Sequence, residues 1–128
     1  MQYLLYLQAQ ANNGSFYVLL VIMVIDVLTG VILATARKSD NTLNGRLESR
    51  QLIKGIYRKM GEILIYLLGV TISFFTNENA VAYLTIAGII AHESLSVLEN
   101  LALLNVPIPQ KLKDILEVIK KGGKNGKD

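Results

Sequence analysis

Hydrophobic residues gather in three long blocks along the chain, residues 16–36, 56–75 and 80–104. These blocks are 21, 20 and 25 residues long, and turn-forming or charged residues separate them. Because a helix rises about 1.5 Å per residue, about 20 residues cross the roughly 30 Å hydrocarbon core of a bilayer. The pattern therefore predicts an all-α membrane protein with three transmembrane helices.

Shorter segments flank and connect these blocks. Residues 1–15 are apolar over too few positions to span a membrane, which predicts a short segment at the outer interface. Residues 37–55 are rich in turn formers and basic side chains, which predicts a loop. Residues 105–128 combine the i, i+3, i+4, i+7 spacing of an amphipathic helix with a glycine-rich tail that we expect to be disordered. Residues 16–104 thus form one predicted transmembrane domain.

The positions of the basic residues predict the orientation. All thirteen Lys and Arg residues lie within residues 37–59 or 111–127. Three spans place these two regions on the same side of the bilayer, and the positive-inside rule makes that side the cytoplasm. We therefore expect the N-terminus outside and the C-terminus inside.

Composition and motifs argue against catalysis. The chain is 52% hydrophobic and contains no Cys, which excludes disulfides and thiolate chemistry. It has no glycine-rich phosphate loop and no metal-ligand spacing, and the tripeptide "HES" cannot converge on a helix. We predict no catalytic residue, cofactor or metal. The basic residues flank apolar blocks without interleaved aromatics, which favours anionic lipid over nucleic acid as their partner.

Four carboxylates interrupt the apolar blocks. They are Asp26, Glu62, Glu93 and Glu99. Each acid costs about 2.5–3.5 kcal/mol at mid-bilayer, so the third block inserts only marginally by itself. At about 100° per residue, one arc of the third helix collects its polar side chains. These are His92, Glu93, Ser96, Glu99 and Asn100.

Counting residues inward from the predicted outer ends places the polar groups in two layers. The layer near the midplane contains Asp26, His92 and Glu93. The layer at the inner interface contains Arg58, Lys59, Glu62, Glu99 and Asn100. Two interpretations stay open at this point. The groups form a satisfied interhelical network with Asp26 and Glu93 protonated or paired, or they form a face that oligomerisation turns toward water.

Two further sets of residues predict contacts. Gly30 with Ala34, and Gly69 with Ser73, are small-xxx-small pairs that predict close helix packing. Basic side chains next to the spans are predicted to face anionic lipid of the inner leaflet. They are Arg50, Lys54, Arg58, Lys59, Lys111, Lys113, Lys120 and Lys121.

Several motifs carry a family resemblance. With "DVLTG", "KGIYRK", "ESLSVLEN" and "PIP" in that order and spacing, the chain resembles the phage-lysis and toxin-secretion holins of Gram-positive bacteria and their phages. The resemblance covers about residues 25–112 and includes Leu112. The chain departs from the family pattern at Asn105, where a glycine is expected. Since Asn is the second choice for a left-handed helix stop, we expect the turn to survive.

The resemblance implies a function. It implies a homo-oligomer in the cytoplasmic (inner) membrane of a bacterial host, which forms lesions that release an endolysin and time host lysis. It implies neither enzymatic activity nor direct binding of the endolysin. Two alternatives remain: a holin-like exporter of a large toxin, and a non-lytic regulatory membrane subunit of the antiholin type.

Overall fold

The computed structural model describes the backbone of residues 1–40 and 45–125, and the side chains of residues 1–36, 50, 52–115, 117–118 and 121. This part of the chain folds into five α-helices and contains no strand. The helices are α1 (Gln2–Ala11), α2 (Gly14–Asp40), α3 (Gly45–Thr76), α4 (Asn79–Leu103) and α5 (Gln110–Asn125).

Three helices are long and apolar enough to cross a membrane. The candidate spans are Gly14–Ala36, Leu52–Thr76 and Asn79–Leu103. They confirm the three predicted transmembrane helices, with ends that differ by a few residues. Only 22–28% of the most apolar part of each span is buried inside the bundle. The remaining apolar surface suits a lipid environment, which is as apolar as these side chains.

The connector between the first two spans is more helical than expected. The predicted loop, residues 37–55, is helical where the structure describes it, because α2 continues to Asp40 and α3 begins at Gly45. Leu, Arg, Glu, Gln and Lys are good helix formers and occupy most of this segment, so helix propensity overrides the turn formers. Similarly, α5 continues to Asn125 into the tail that was expected to be disordered. Residues 126–128 of that tail lie outside the described chain.

Two asparagines in the left-handed conformation end α3 and α4. Asn77 has φ 57° and Asn105 has φ 58°. The amide of Asn105 donates to the carbonyl of Ala102, and that of Val106 to the carbonyl of Leu101, both at 3.0 Å. These two bonds form a Schellman motif. The expected helix stop at Asn105 is therefore confirmed.

The apolar core lies between the three spanning helices. Its buried members are Leu19, Met23, Tyr66, Val70, Ala82, Ile86 and Ile89. The ring of Phe16 stacks on Tyr66 with centroids 5.7 Å apart. On α2 and α4 these core residues precede the ionisable side chains, and on α3 they follow them. The apolar core and the ionisable side chains therefore lie at different levels along the bundle axis.

The N-terminal segment packs against α3. The Tyr3 hydroxyl lies 2.7 Å from Oγ1 of Thr71, and the Tyr6 hydroxyl lies 2.8 Å from Oγ of Ser73. Tyr6 also donates to Oδ1 of Asn79 at 3.2 Å. The segment predicted to lie at the outer interface is thus a helix that contacts the α3–α4 turn.

The start of α5 lies beside α2 and α4. Leu112 lines a small cavity with Ile22 and Ile25 of α2 and Val97 and Leu98 of α4. The first turn of the C-terminal helix therefore lies near the spanning bundle. The amphipathic role expected for α5 stays a prediction.

Candidate functional site

Six ionisable side chains from three helices meet at one level of the bundle, and we call them the charge cluster. They are Asp26 of α2, Arg58, Lys59 and Glu62 of α3, and His92 and Glu93 of α4. The local sequence explains the convergence on α3, because residues three or four apart share one face of a helix. Each spanning helix therefore contributes at least one acid to the same interior position.

Lys59 is the centre of the charge cluster. Its ammonium donates a 2.7 Å hydrogen bond to Oδ2 of Asp26 and a second bond to the Glu93 carboxylate. Lys59 is 9% exposed and Glu93 is completely buried. A charge in hydrocarbon is costly unless an opposite charge and hydrogen bonds compensate it. One ammonium meets this requirement for acids on two neighbouring helices.

Arg58 adds a looser set of ion pairs. Its Nη2 lies 3.7 Å from Oδ2 of Asp26 and 3.9 Å from Oε1 of Glu93, and its Nε lies 3.9 Å from Oε1 of Glu62. None of these contacts is close enough for a hydrogen bond. The Arg58 side chain is 50% exposed. Arg58 therefore lies at the exposed edge of the charge cluster and forms no hydrogen bond with its acids.

His92 and two carboxylate oxygens complete the charge cluster. Nε2 of His92 lies 3.6 Å from Oε1 of Glu62, and the imidazole is 54% exposed. Oε2 of Glu62 and Oε1 of Glu93 are buried and accept no hydrogen bond within the described structure. With its three acids ionised, the two cations leave a charge of −1 when His92 is neutral. In that protonation state the charge cluster is short of one positive charge.

Three members of the charge cluster can present atoms to a metal ion. Glu62, His92 and Glu93 place one ligand atom each within 4.8 Å of one another. Sequence spacing did not predict this group because Glu62 belongs to a different helix. Arg58 and Lys59 contact the same carboxylates, and their positive charges repel a cation. The arrangement therefore favours an ion-pair network over a metal centre.

Asn100 and Thr29 extend the polar contacts beyond the charge cluster. The Asn100 amide donates to Oγ1 of Thr29 at 3.2 Å and to Oδ1 of Asp26 at 3.4 Å. The Thr29 hydroxyl donates to the backbone carbonyl of Asp26 at 3.0 Å. The i+3 spacing from Asp26 places Thr29 on the same helix face, as the sequence predicts.

The structure replaces the two predicted polar layers with one group. Lys59 and Asn100 were expected at the inner interface, yet both bond Asp26, which was expected at the midplane. The prediction that Lys59 faces lipid is wrong, because Lys59 is buried among the acids. The depth count treated each apolar block as an isolated span. It did not allow for a lysine that is drawn inward by acids on two other helices.

The remaining residues of the polar arc predicted on the third helix lie around the charge cluster. Ser96 lines a cavity with Asn100, and Glu99 is exposed on α4. Of the predicted lipid-facing basic residues, those with described side chains are exposed apart from Lys59. The exposed basic residues are Arg50, Lys54, Arg58, Lys111, Lys113 and Lys121. The Lys120 side chain lies outside the described part, and contact of these residues with lipid stays a prediction.

The small residues occupy different environments. A Cβ at Gly69 would lie 2.5 Å from Oγ1 of Thr85, so α3 and α4 approach closely there. Ser73 is buried and donates to the carbonyl of Glu78 at 2.9 Å. A Cβ at Gly30 would lie 3.7 Å from Nδ2 of Asn100, which is ordinary contact, and Ala34 is half-buried.

Comparison with known proteins gives a consistent set of relatives. The sequence profile of the bacteriophage holin family matches residues 8–121. The uncharacterized protein YqxH of Bacillus subtilis (strain 168) is 39% identical over 114 residues, which cover 86% of this chain and 76% of that protein. A probable holin of Bacillus phage phi105 is 37% identical over 102 residues, which cover 79% and 70%.

A third relative comes from another genus. The uncharacterized 14.9 kDa protein in the nagH 3' region of Clostridium perfringens is 34% identical over 101 residues, which cover 77% of this chain and 71% of that protein. No solved structure matches the chain.

Proposed function

Because the chain belongs to the bacteriophage holin family, we propose that it acts as a holin in the cytoplasmic (inner) membrane of a bacterial host. It oligomerises there and forms lesions that release an endolysin and time host lysis. Its N-terminus lies outside and its C-terminus inside, as the basic residues favour. The endolysin passes through the lesion without a binding site on this chain, and the protein itself is not an enzyme.

The observation that carries this proposal is the charge cluster inside an otherwise apolar bundle. Asp26, Lys59 and Glu93 each come from a different spanning helix and compensate one another in the monomer. Charged groups that are costly in lipid are well solvated in water. The same side chains can therefore hold the three helices of the monomer together by ion pairs. After the helices separate, they can line a water-filled lesion.

The surface of the bundle supports assembly from many copies. Most of each span is exposed on the isolated chain, including large apolar side chains on all three spanning helices. In a membrane, helix association relies on close packing and interhelical polar contacts. Crowded copies can exchange contacts within one chain for contacts between chains, with the polar face of His92, Ser96 and Glu99 at the new interfaces.

Expression of the chain with and without an endolysin tests this function. Membrane potential and culture turbidity are followed separately in the same cells. We expect depolarisation in both cultures and rapid lysis only when the endolysin is present. An intact membrane potential at full expression would contradict the proposal and favour a non-lytic regulatory subunit. Export of a large reporter protein from cells that continue to grow would favour the toxin exporter.

A further inference from the structure

A cavity of about 510 Å³ lies mainly between α2 and α3, and it is the cavity that Ser96 and Asn100 of α4 also line. Small residues leave this space open, since Gly30 and Ala34 of α2 and Gly55 of α3 line it. A Cβ at Gly55 would meet no atom within 4 Å. Ligand sites in proteins typically enclose roughly 300–1,000 Å³. The cavity therefore has the size of a binding site for a small ligand or part of a larger one.

One part of the lining is cationic. Lys54, Arg58 and Lys59 line the cavity together with a single acid, Asp26. Lys59 and Asp26 already bond each other. Lys54 is exposed and forms no ion pair with any side chain in the described structure, while Arg58 reaches its acids only at 3.7–3.9 Å. Lys54 and Arg58 therefore keep hydrogen-bond donors for an anion.

The other part of the lining is apolar. Val27 and Leu33 of α2 and Leu52 and Ile56 of α3 belong to it. An inorganic anion would gain nothing from this wall, and a metal cation would be repelled by the neighbouring positive charges. A ligand with an anionic head and a hydrocarbon chain matches both parts. In a membrane-spanning bundle, the abundant molecule of this chemistry is an anionic phospholipid.

We propose that this cavity binds one anionic phospholipid. The phosphate lies between Lys54 and Arg58, and an acyl chain lies along Ile56 and Val27, toward the middle of the span. The site requires a chain inserted in a membrane but does not require lesion formation, so it stands apart from the lytic function. A bound lipid covers the Gly30 and Ala34 surface of α2. It thereby competes with any second helix that packs on that surface.

Native mass spectrometry of the full-length protein in detergent tests the site. The probes are dioleoylphosphatidylglycerol, dioleoylphosphatidylcholine and free glycerol phosphate at equal concentrations. We expect one retained phosphatidylglycerol per chain and at least about fivefold less phosphatidylcholine, because each basic contact near an anionic headgroup contributes about 1 kcal/mol. Equal retention of the two lipids would overturn the proposal. Equal binding of glycerol phosphate would show a headgroup site without an acyl-chain groove and would also overturn it.

A pair of glycine substitutions tests the location. Gly55→Leu fills the cavity, whereas Gly61→Leu makes the same change on the same helix at a position that does not line it. Neither new Cβ meets an atom within 4 Å, and unfolding in detergent checks that both variants fold. We expect Gly55→Leu to lose most of the retained phosphatidylglycerol and Gly61→Leu to keep it. Equal loss in both variants would place the lipid on the general apolar surface and overturn the site.

A pair of charge substitutions tests the headgroup contact. Lys54→Gln and Arg50→Gln each remove one positive charge from α3, but only Lys54 lines the cavity. We expect about fivefold less retained phosphatidylglycerol for Lys54→Gln and little change for Arg50→Gln. Equal effects would mean that the lipid responds to overall basic charge, which would contradict a specific site.

Discussion

Lys59 donates a 2.7 Å hydrogen bond to Asp26, which lies 33 positions earlier in the chain. The same ammonium also bonds Glu93, so one side chain joins α3 to both neighbouring spans. Polar contacts of this kind hold membrane helices together where apolar burial offers little advantage over lipid. The stability of the bundle should therefore depend strongly on Lys59.

Lys59→Met is predicted to destabilise the bundle by about 3–5 kcal/mol, because it leaves two buried acids without their common partner. The measurement is reversible unfolding of the detergent-solubilised protein in SDS or by steric trapping. Lys113→Met is the matched control, since Lys113 is exposed on α5, and it should change stability by less than about 0.5 kcal/mol. Similar values for the two variants would mean that Lys59 is not essential to the charge cluster.

Glu93→Leu is predicted to improve membrane insertion of α4 and to impair or retime lysis. Replacement of the acid by Leu lowers the insertion cost by about 3 kcal/mol for a residue near the bilayer centre. Lys59 then keeps only Asp26, and the polar face loses its buried acid. Glycosylation mapping measures insertion, and culture turbidity measures lysis time. Glu78→Leu is the comparison, because it removes an exposed acid at the start of the same helix that does not belong to the polar face. Normal lysis timing for Glu93→Leu would argue against a role for the polar face.

Gly69→Ala is predicted to destabilise the α3–α4 contact by about 1–3 kcal/mol, since the new methyl group would overlap Thr85. Gly61→Ala on the same helix meets no atom within 4 Å and should be neutral or slightly stabilising. The measurement is again unfolding in detergent. Thr85→Gly in the Gly69→Ala background should recover part of the loss. Failure of this rescue would show that the methyl group acts elsewhere.

Asn105→Val is predicted to cost about 1–2 kcal/mol, because a β-branched residue is strained in the left-handed conformation. Asn105→Gly should be tolerated, since Gly adopts this conformation without strain. Asn12→Val is the matched control, because Asn12 ends α1 with φ −81° and needs no left-handed residue. Thermal unfolding in detergent compares the three variants. A larger loss for Asn12→Val than for Asn105→Val would contradict the assigned role of the Asn105 turn.

Truncation after Leu104 is predicted to change lysis timing, because it removes six basic residues that attract the anionic inner leaflet. A full-length variant separates charge from length by replacing four of these lysines with Gln. The substituted residues are Lys111, Lys113, Lys120 and Lys121. Culture turbidity gives the lysis time of each strain. Unchanged timing in the truncated strain would refute a role for the basic tail.

The sequence was most informative where one physical effect dominates. Apolar blocks of about 20 residues have few alternatives to a spanning helix, so the three spans could be predicted from length alone. The Asn105 turn was predictable because few residues adopt the left-handed conformation that ends a helix. In both cases the local sequence contains the whole cause of the structure.

The sequence was least informative where distant side chains decide the structure. The sequence showed that acids in apolar blocks are unusual, but it did not show which side chains pair with one another. A depth count places the residues of each helix separately and contains no information on contacts between helices. Lys59 looked like one more basic residue next to a span. Its burial follows from Asp26 and Glu93, which lie 33 and 34 positions away in opposite directions along the chain. The cavity between α2 and α3 likewise depends on helix separation, which no local pattern records.

The order of Asp26, Lys59 and Glu93 along the chain has a consequence for synthesis. Ribosomes add about 5–20 residues per second, so Asp26 precedes Lys59 by about 2–7 s and Glu93 by about 3–13 s. During this interval the nascent α2 carries an acid that has no lysine to bond. Because α2 is the most apolar of the three spans, it can insert before its lysine has been made, and a ribosome that pauses before Lys59 would prolong the time during which Asp26 stays unpaired in the membrane.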